Sequence, residues 1–101
     1  MFNKKEFTMV LEKLKKQIAG ILNKHPIAKS ALFGSYARGE ENKSSDIDIL
    51  IETSKPISLF VILKIEKELR QITKKKIDII EYSAIKPFLR ENVLSDAISI
   101  L

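Results

Sequence analysis

The chain has 101 residues, 45% of them hydrophobic, so we expect one domain spanning residues 1–101 and exclude a second core. The absence of cysteine excludes disulfide bonds, thiolate metal sites and cysteine nucleophiles, and no apolar run approaches the roughly 20 residues that cross a bilayer. The 18 Lys and Arg against 13 Asp and Glu give a net charge of +5, which favours anionic partners such as nucleotides, although a solvated basic surface explains the charge as well.

The first half of the chain predicts a helix followed by a strand. Residues 4–24 place apolar side chains three and four apart, the pattern of an amphipathic helix, and Pro26 ends it because the residue before a proline is pushed out of helical geometry. Residues 27–33 form a short apolar run that Gly34 and Ser35 stop, which predicts a buried strand. Residues 35–45 are polar and contain glycine, and predict a turn with one short helix.

The second half predicts two more strands and two more helices. Residues 46–52 alternate and are rich in isoleucine, as in a strand, and residues 76–81 predict a third strand. Pro56 opens a helix near residues 57–72, with an apolar set of Leu59, Phe60, Ile62, Leu63 and Leu69. Pro87 opens a last helix whose apolar residues are Phe88, Leu89, Val93, Leu94, Ala97, Ile98 and Leu101. This order predicts a small α/β (α+β) domain in which helices cover a mixed sheet of three to four strands.

Asp46 and Asp48 are candidate metal ligands on the predicted second strand. Side chains two apart on a strand point to the same face, so both carboxylates would converge while Ile47 and Ile49 face the core. A divalent cation that prefers oxygen ligands relieves the repulsion between them, and Mg²⁺ suits this set. The alternative is an exposed edge strand whose polar face is acidic.

Asp78 lies between Ile77 and Ile79 in an otherwise apolar strand, where an aspartate is unfavourable unless it is paired or liganded. If the third strand lies beside the second, Asp78 joins Asp46 and Asp48 on one surface. Three carboxylates can hold two metal ions about 3.5–4 Å apart, the arrangement used in phosphoryl transfer. Asp78 would then be the base or a ligand that assists it. The alternative is a strand-end residue that caps a turn or pairs with a lysine.

Gly34 and Ser35 are candidates for binding a triphosphate. Glycine allows close approach of the backbone, and the N–H groups of a helix start together with a serine hydroxyl suit phosphate. An ordinary helix cap is the alternative. Arg38 could reach a phosphate or pair with an acidic residue, and the two roles stay open.

Two runs together resemble the signature of the DNA polymerase beta-like nucleotidyltransferase superfamily, and most of all its minimal nucleotidyltransferase (MNT) family: Gly34-Ser35-Tyr36-Ala37-Arg38-Gly39 and Ser45-Asp46-Ile47-Asp48-Ile49. The resemblance implies that fold over the whole chain, ATP as substrate and two Mg²⁺ ions. It implies further that Gly34 and Ser35 bind nucleotide phosphate, that Asp46 and Asp48 are metal ligands, and that Asp78 is the third catalytic carboxylate.

The resemblance also implies a function. MNT proteins commonly transfer AMP from ATP to a tyrosine of a HEPN-domain ribonuclease toxin and so act as antitoxins, in a hetero-oligomer. Larger relatives carry extra acceptor-binding domains, and their absence here favours a protein acceptor. The alternatives are transfer to a small molecule or RNA, or a non-catalytic toxin-binding module. Direct nucleic-acid binding is disfavoured because basic residues are not interleaved with stacking aromatics.

Two further segments each allow two interpretations, and the sequence also gives an expectation for the cellular location. The apolar residues 97–101 either cover the sheet or dock on another subunit, and Lys74–Lys76 either approach phosphates or form a solvated turn. The N-terminus lacks the apolar stretch of a signal peptide, so a cytoplasmic protein is expected.

Overall fold

The computed structural model describes residues 3–34, 37 and 46–101. The first helix, α1, spans Lys4–Leu22 and is capped by Asn3, whose side-chain oxygen accepts a 2.8 Å hydrogen bond from the Glu6 amide. It ends at Leu22, slightly before the predicted end at residue 24. One side of α1 faces the core through Leu14, Ile18, Ile21 and Leu22. The short helix predicted within residues 35–45 lies outside the part of the chain that the structure describes, apart from residue 37.

Four strands form one mixed sheet: β1 (Ile27–Phe33), β2 (Ile47–Thr53), β3 (Ile77–Glu81) and β4 (Ile98–Ser99). Their spatial order is β3-β2-β1-β4. Strand β1 runs antiparallel to β2 and β4, whereas β2 and β3 are parallel, as expected when a helix connects them. The predicted α/β class with a mixed sheet is confirmed.

The second helix, α2, spans Leu59–Thr73 and begins after its cap, Ser58. It buries Ile65 and Leu69, and Val61 packs against the same core, so its inner stripe follows every fourth residue. The predicted apolar set was therefore wrong in part. Leu59, Phe60 and Leu63 lie outside this stripe and are 68%, 83% and 49% exposed.

The core lies between α1, α2 and one face of the sheet. Alternate residues of the strands face it, and Leu32, Ile47, Ile49, Ile51 and Ile77 are almost fully buried there. His25, just after α1, contributes a 2.9 Å contact from its Nε2 to Glu68 Oε1 on α2, which ties the two helices together. Among the described residues, no helix has the length and apolar character needed to cross a membrane.

The C-terminal part differs from the prediction. After a 3₁₀ turn at Tyr82–Ala84, helix α3 spans only Pro87–Asp96, so the predicted helix through Leu101 is wrong. The chain instead forms β4, which pairs with the free edge of β1 through Leu32↔Ile98 and Ala31↔Ser99. An edge strand leaves backbone groups unpaired, and β4 satisfies them while Ile98, Ile100 and Leu101 pack against the core. Residues 97–101 thus pack on the sheet of their own chain, as one of the two interpretations predicts, and docking on another subunit stays a prediction.

Candidate active site

Asp48 and Asp78 lie side by side on the sheet face that is turned away from the core. They are direct partners in the parallel pairing of β2 with β3, and both are partly buried. Neighbouring strands lie about 4.8 Å apart, and paired residues point to the same face. The two carboxylates are therefore held close together by backbone hydrogen bonding, an arrangement that like charges disfavour unless a cation or donor lies between them.

Asp46 lies immediately before β2, two residues from Asp48, and so belongs to the same end of the same face. Its Oδ2 is 3.9 Å from Lys76 Nζ, and the Ile47 amide donates a 2.9 Å hydrogen bond to the Lys76 carbonyl oxygen. The backbone bond fixes Lys76 beside Asp46. The ion pair itself is exposed, with 70% of the lysine side chain and 39% of the aspartate side chain accessible, so its contribution to stability is small.

Gly34 directly follows β1 and lies against the carboxylate of Asp48. Its φ is +75°, a conformation that favours glycine, and a Cβ at this position would overlap the carboxylate of Asp48. Both features favour glycine at this position. The adjoining candidates Ser35 and Arg38 lie outside the described residues, and their roles stay predictions.

The same sheet face continues from the carboxylates into an apolar cavity. Its volume is about 290 Å³. Its floor is formed by Leu50 on β2 and Ile80 on β3, which lie two residues after Asp48 and Asp78. Helix α3 forms the opposite wall, and the main lining residues are Phe33, Leu50, Ile80, Phe88, Leu89 and Val93. A second cavity of about 300 Å³ lies against Gly34 and is also lined by Phe33, Asn92, Val93 and Asp96.

The far end of this face is polar. Lys29 Nζ lies 5.2 Å from the centre of the Tyr82 ring, within range of a cation–π contact. Burial raises the pKa of the Tyr82 hydroxyl, and the negative charge of Glu52 raises it further. Tyr82 therefore stays protonated at neutral pH, and its hydroxyl is not activated as a nucleophile.

Known proteins with related sequences decide the family of this chain. Residues 12–100 match the model of the nucleotidyltransferase domain family. The chain is also 37% identical over 93 residues to a Methanocaldococcus jannaschii protein that carries the provisional name of protein adenylyltransferase, and the alignment covers 92% of this chain and 100% of that relative. The chain belongs to the nucleotidyltransferase family. It is an enzyme of this class, and the resemblance to minimal nucleotidyltransferases is confirmed.

Solved structures agree on the fold of this nucleotidyltransferase. One described as a minimal nucleotidyltransferase superposes with a TM-score of 0.78 at 28% identity, covering 89% of this chain and 92% of the other. A complex of a tri-AMPylated HEPN toxin from Shewanella oneidensis with an MNT antitoxin gives a TM-score of 0.69 at 16% identity, covering 89% of this chain and 71% of the matched chain. The second likeness establishes the shared fold alone.

The donor set of this nucleotidyltransferase fits Mg²⁺. Asp46, Asp48 and Asp78 provide carboxylate oxygens, the ligands that Mg²⁺ prefers, and all three lie at one end of one sheet face. The three side chains do not converge in this structure. Within the described residues, no three carboxylate, imidazole or thiolate groups lie closely enough together to hold an ion. Asp46 is turned toward Lys76, whose Nζ lies 3.9 Å from its Oδ2.

Sequence reasoning missed several residues around the site. Asn92, Val93 and Asp96 face Gly34 because they are spaced three and four apart on one side of α3. That spacing was visible in the sequence, but the sheet face against which it packs was not. In the sequence Lys76 is simply part of a lysine run, and its position beside Asp46 follows from the pairing of β3 with β2.

Proposed function

We propose that this nucleotidyltransferase transfers AMP from ATP, with Mg²⁺, to a tyrosine hydroxyl of a HEPN-domain toxin, and that it acts as the antitoxin of that protein. The observation that carries the catalytic part is the direct pairing of Asp48 with Asp78 beside Gly34. Support for the acceptor comes from relatives: one carries the name of protein adenylyltransferase, and a protein of the same fold forms a complex with an AMPylated HEPN toxin.

Each residue of the site has a distinct role in this proposal. Asp46, Asp48 and Asp78 would hold magnesium, which when bound stabilises negative charge on the phosphates and lowers the pKa of a bound hydroxyl. Gly34 leaves room for the carboxylate of Asp48 beside the turn, and Gly34, Ser35 and Arg38 would contact the phosphate oxygens.

Asp78 would accept the proton of the acceptor hydroxyl. The acceptor oxygen then forms a bond to the α-phosphorus of ATP, the bond from that phosphorus to the bridging oxygen breaks, and pyrophosphate leaves. Asp78 is suited to this role because it projects from the same face as Asp48, at the point where the apolar cavity begins. A base must lie within hydrogen-bonding reach of the proton that it accepts.

The test is AMP transfer from ATP labelled at the α-phosphate to a purified HEPN-domain toxin in the presence of Mg²⁺. Asp48→Asn and Asp78→Asn should each lower the initial rate by at least about 100-fold. Glu52→Gln is the matched control, since Glu52 lies on the same strand and face as Asp48 but four residues away and exposed. Label that appears on RNA rather than on the toxin, or full activity of either asparagine variant, would contradict the proposal.

A further inference from the structure

Helix α3 has an apolar surface that the described part of the chain does not cover. None of its ten residues is buried, and Phe88 and Leu89 are 75% and 43% exposed. These side chains border the cavity of about 290 Å³ between α3 and the sheet. Burying such side chains is favourable at roughly 25 cal/mol per Å² of apolar surface, so an accessible apolar cavity of this kind marks a binding site.

The cavity adjoins the carboxylates of Asp48 and Asp78 along the two strands that carry them. Leu50 follows Asp48 by two residues on β2, and Ile80 follows Asp78 by two residues on β3, so all four share one face. Residues two apart on a strand are about 7 Å apart. Leu50 is fully buried, whereas Ile80 is 37% exposed, so a group lying on Ile80 has its end within one side-chain length of Asp78.

The lining determines what chemistry fits. Among the described residues that line this cavity, Lys86 is the one charged residue, and the others are aliphatic or aromatic. Such a wall does not suit a triphosphate or a nucleic-acid backbone, because a buried charge without partners is strongly unfavourable. It suits a flat apolar ring that carries one polar atom at its tip, as in tyrosine.

We infer that this cavity, which we call the acceptor cavity, binds the aromatic side chain of the acceptor residue, with the ring over Ile80 and its hydroxyl at Asp78. Phe88 contacts the neighbouring surface of the acceptor protein. This assignment rests on the function proposed above, and it adds the position at which the acceptor residue binds. The adenine of ATP is the other flat ring in the reaction, and its binding in this cavity is the outcome that would contradict the assignment.

A pair of phenylalanine variants tests the assignment. Phe88→Ser alters the acceptor cavity, and Phe60→Ser removes an equally exposed ring from α2, on the opposite side of the sheet. Phe88→Ser should raise the KM for the HEPN toxin at least about tenfold and leave the affinity for a non-hydrolysable ATP analogue within about twofold. Phe60→Ser should change neither. A loss of ATP affinity in Phe88→Ser, or an unchanged KM for the toxin, would overturn the assignment.

A second experiment does not depend on the toxin, so it separates failure of the cavity assignment from failure of the proposed function. Methyl NMR spectra of the unsubstituted protein are recorded with N-acetyl-L-tyrosinamide as the probe. The methyl signals of Leu50, Ile80 and Val93 should shift, whereas those of Val10 and Ile72, which line a separate cavity between α1 and α2, should not. Shifts of the first set with the ATP analogue but not with the tyrosine probe, or no shifts with either, would overturn the assignment.

Discussion

The backbone of Gly34 lies so close to the side chain of Asp48 that a Cβ at position 34 would overlap the Asp48 carboxylate. The left-handed backbone at this glycine turns the chain immediately after β1, whose last residue, Phe33, is paired with Asp48. A candidate phosphate-binding turn and a candidate metal ligand are thereby held together by the antiparallel pairing of two strands. The site depends on the sheet as much as on the acidic side chains.

Gly34→Ala should impair both folding and activity. The added methyl group overlaps Asp48 and the positive φ is strained, so the free energy of unfolding should fall by about 1–3 kcal/mol and AMP transfer should be lost. Gly20→Ala is the matched control, since nothing lies within 4 Å of a Cβ at this helical position. It should stabilise the protein by about 0.5–1 kcal/mol in urea unfolding. An active Gly34→Ala enzyme would show that the close approach is not needed.

Lys76→Met should change metal binding more than stability. The pair with Asp46 is exposed, so the free energy of unfolding should change by less than about 1 kcal/mol. Removing a cation that competes for Asp46 should tighten Mg²⁺ binding, measured by calorimetry, up to about tenfold. Lys64→Met, the same charge change on the exposed side of α2, should leave Mg²⁺ affinity almost unaltered. Weaker Mg²⁺ binding in Lys76→Met than in the control would contradict this role.

Both strands that carry the aspartates could be predicted from the sequence. The isoleucines at 47, 49 and 51 occupy one face, so the intervening aspartate must occupy the other, and Ile77 and Ile79 orient Asp78 in the same way. The prediction of a shared site assumed that β2 and β3 are neighbouring strands, and the sequence alone did not establish it. Strand pairing depends on tertiary packing, and local periodicity does not contain it.

The features of the fold that could not be predicted from the sequence also depend on tertiary packing. Residues 97–101 have apolar side chains at helix-like spacing, and their extended form depends on the open edge of β1. The contact between His25 and Glu68 joins residues 43 apart in the sequence. The exposure of Leu59 and Phe60 depends on how α2 is rotated against the sheet.

The contacts of Glu68 should make stability depend on pH in the acid range. Hydrogen bonds from His25 and then Lys24 hold the pKa of Glu68 below its ordinary value of 4.5 in the folded protein. A lowered folded-state pKa means that the stabilisation is complete above the unfolded value and is lost as the pH falls through the folded value. Glu68→Gln should therefore be less stable than the unsubstituted protein near pH 7, with the difference shrinking below about pH 4.5.

The matched control for this effect is Glu66→Gln, on the same helix. Glu66 is 3.7 Å from Arg70 in an exposed pair, which contributes little. Urea unfolding across the acid range, carried out on both variants, measures the two differences. A pH-independent difference for Glu68→Gln, or an equal effect of Glu66→Gln, would show that the contact with His25 and Lys24 does not stabilise the fold.

The rates of AMP transfer by Asp48→Asn, Asp78→Asn and the double variant test most directly whether the two paired aspartates form one catalytic site. We predict that each single substitution lowers the rate at least about 100-fold, and that the double variant is about as slow as the slower single variant, because both residues act on one reacting group. If the two losses multiply, as for independent sites, or if either single variant keeps the rate of the unsubstituted enzyme, the aspartates do not share a site.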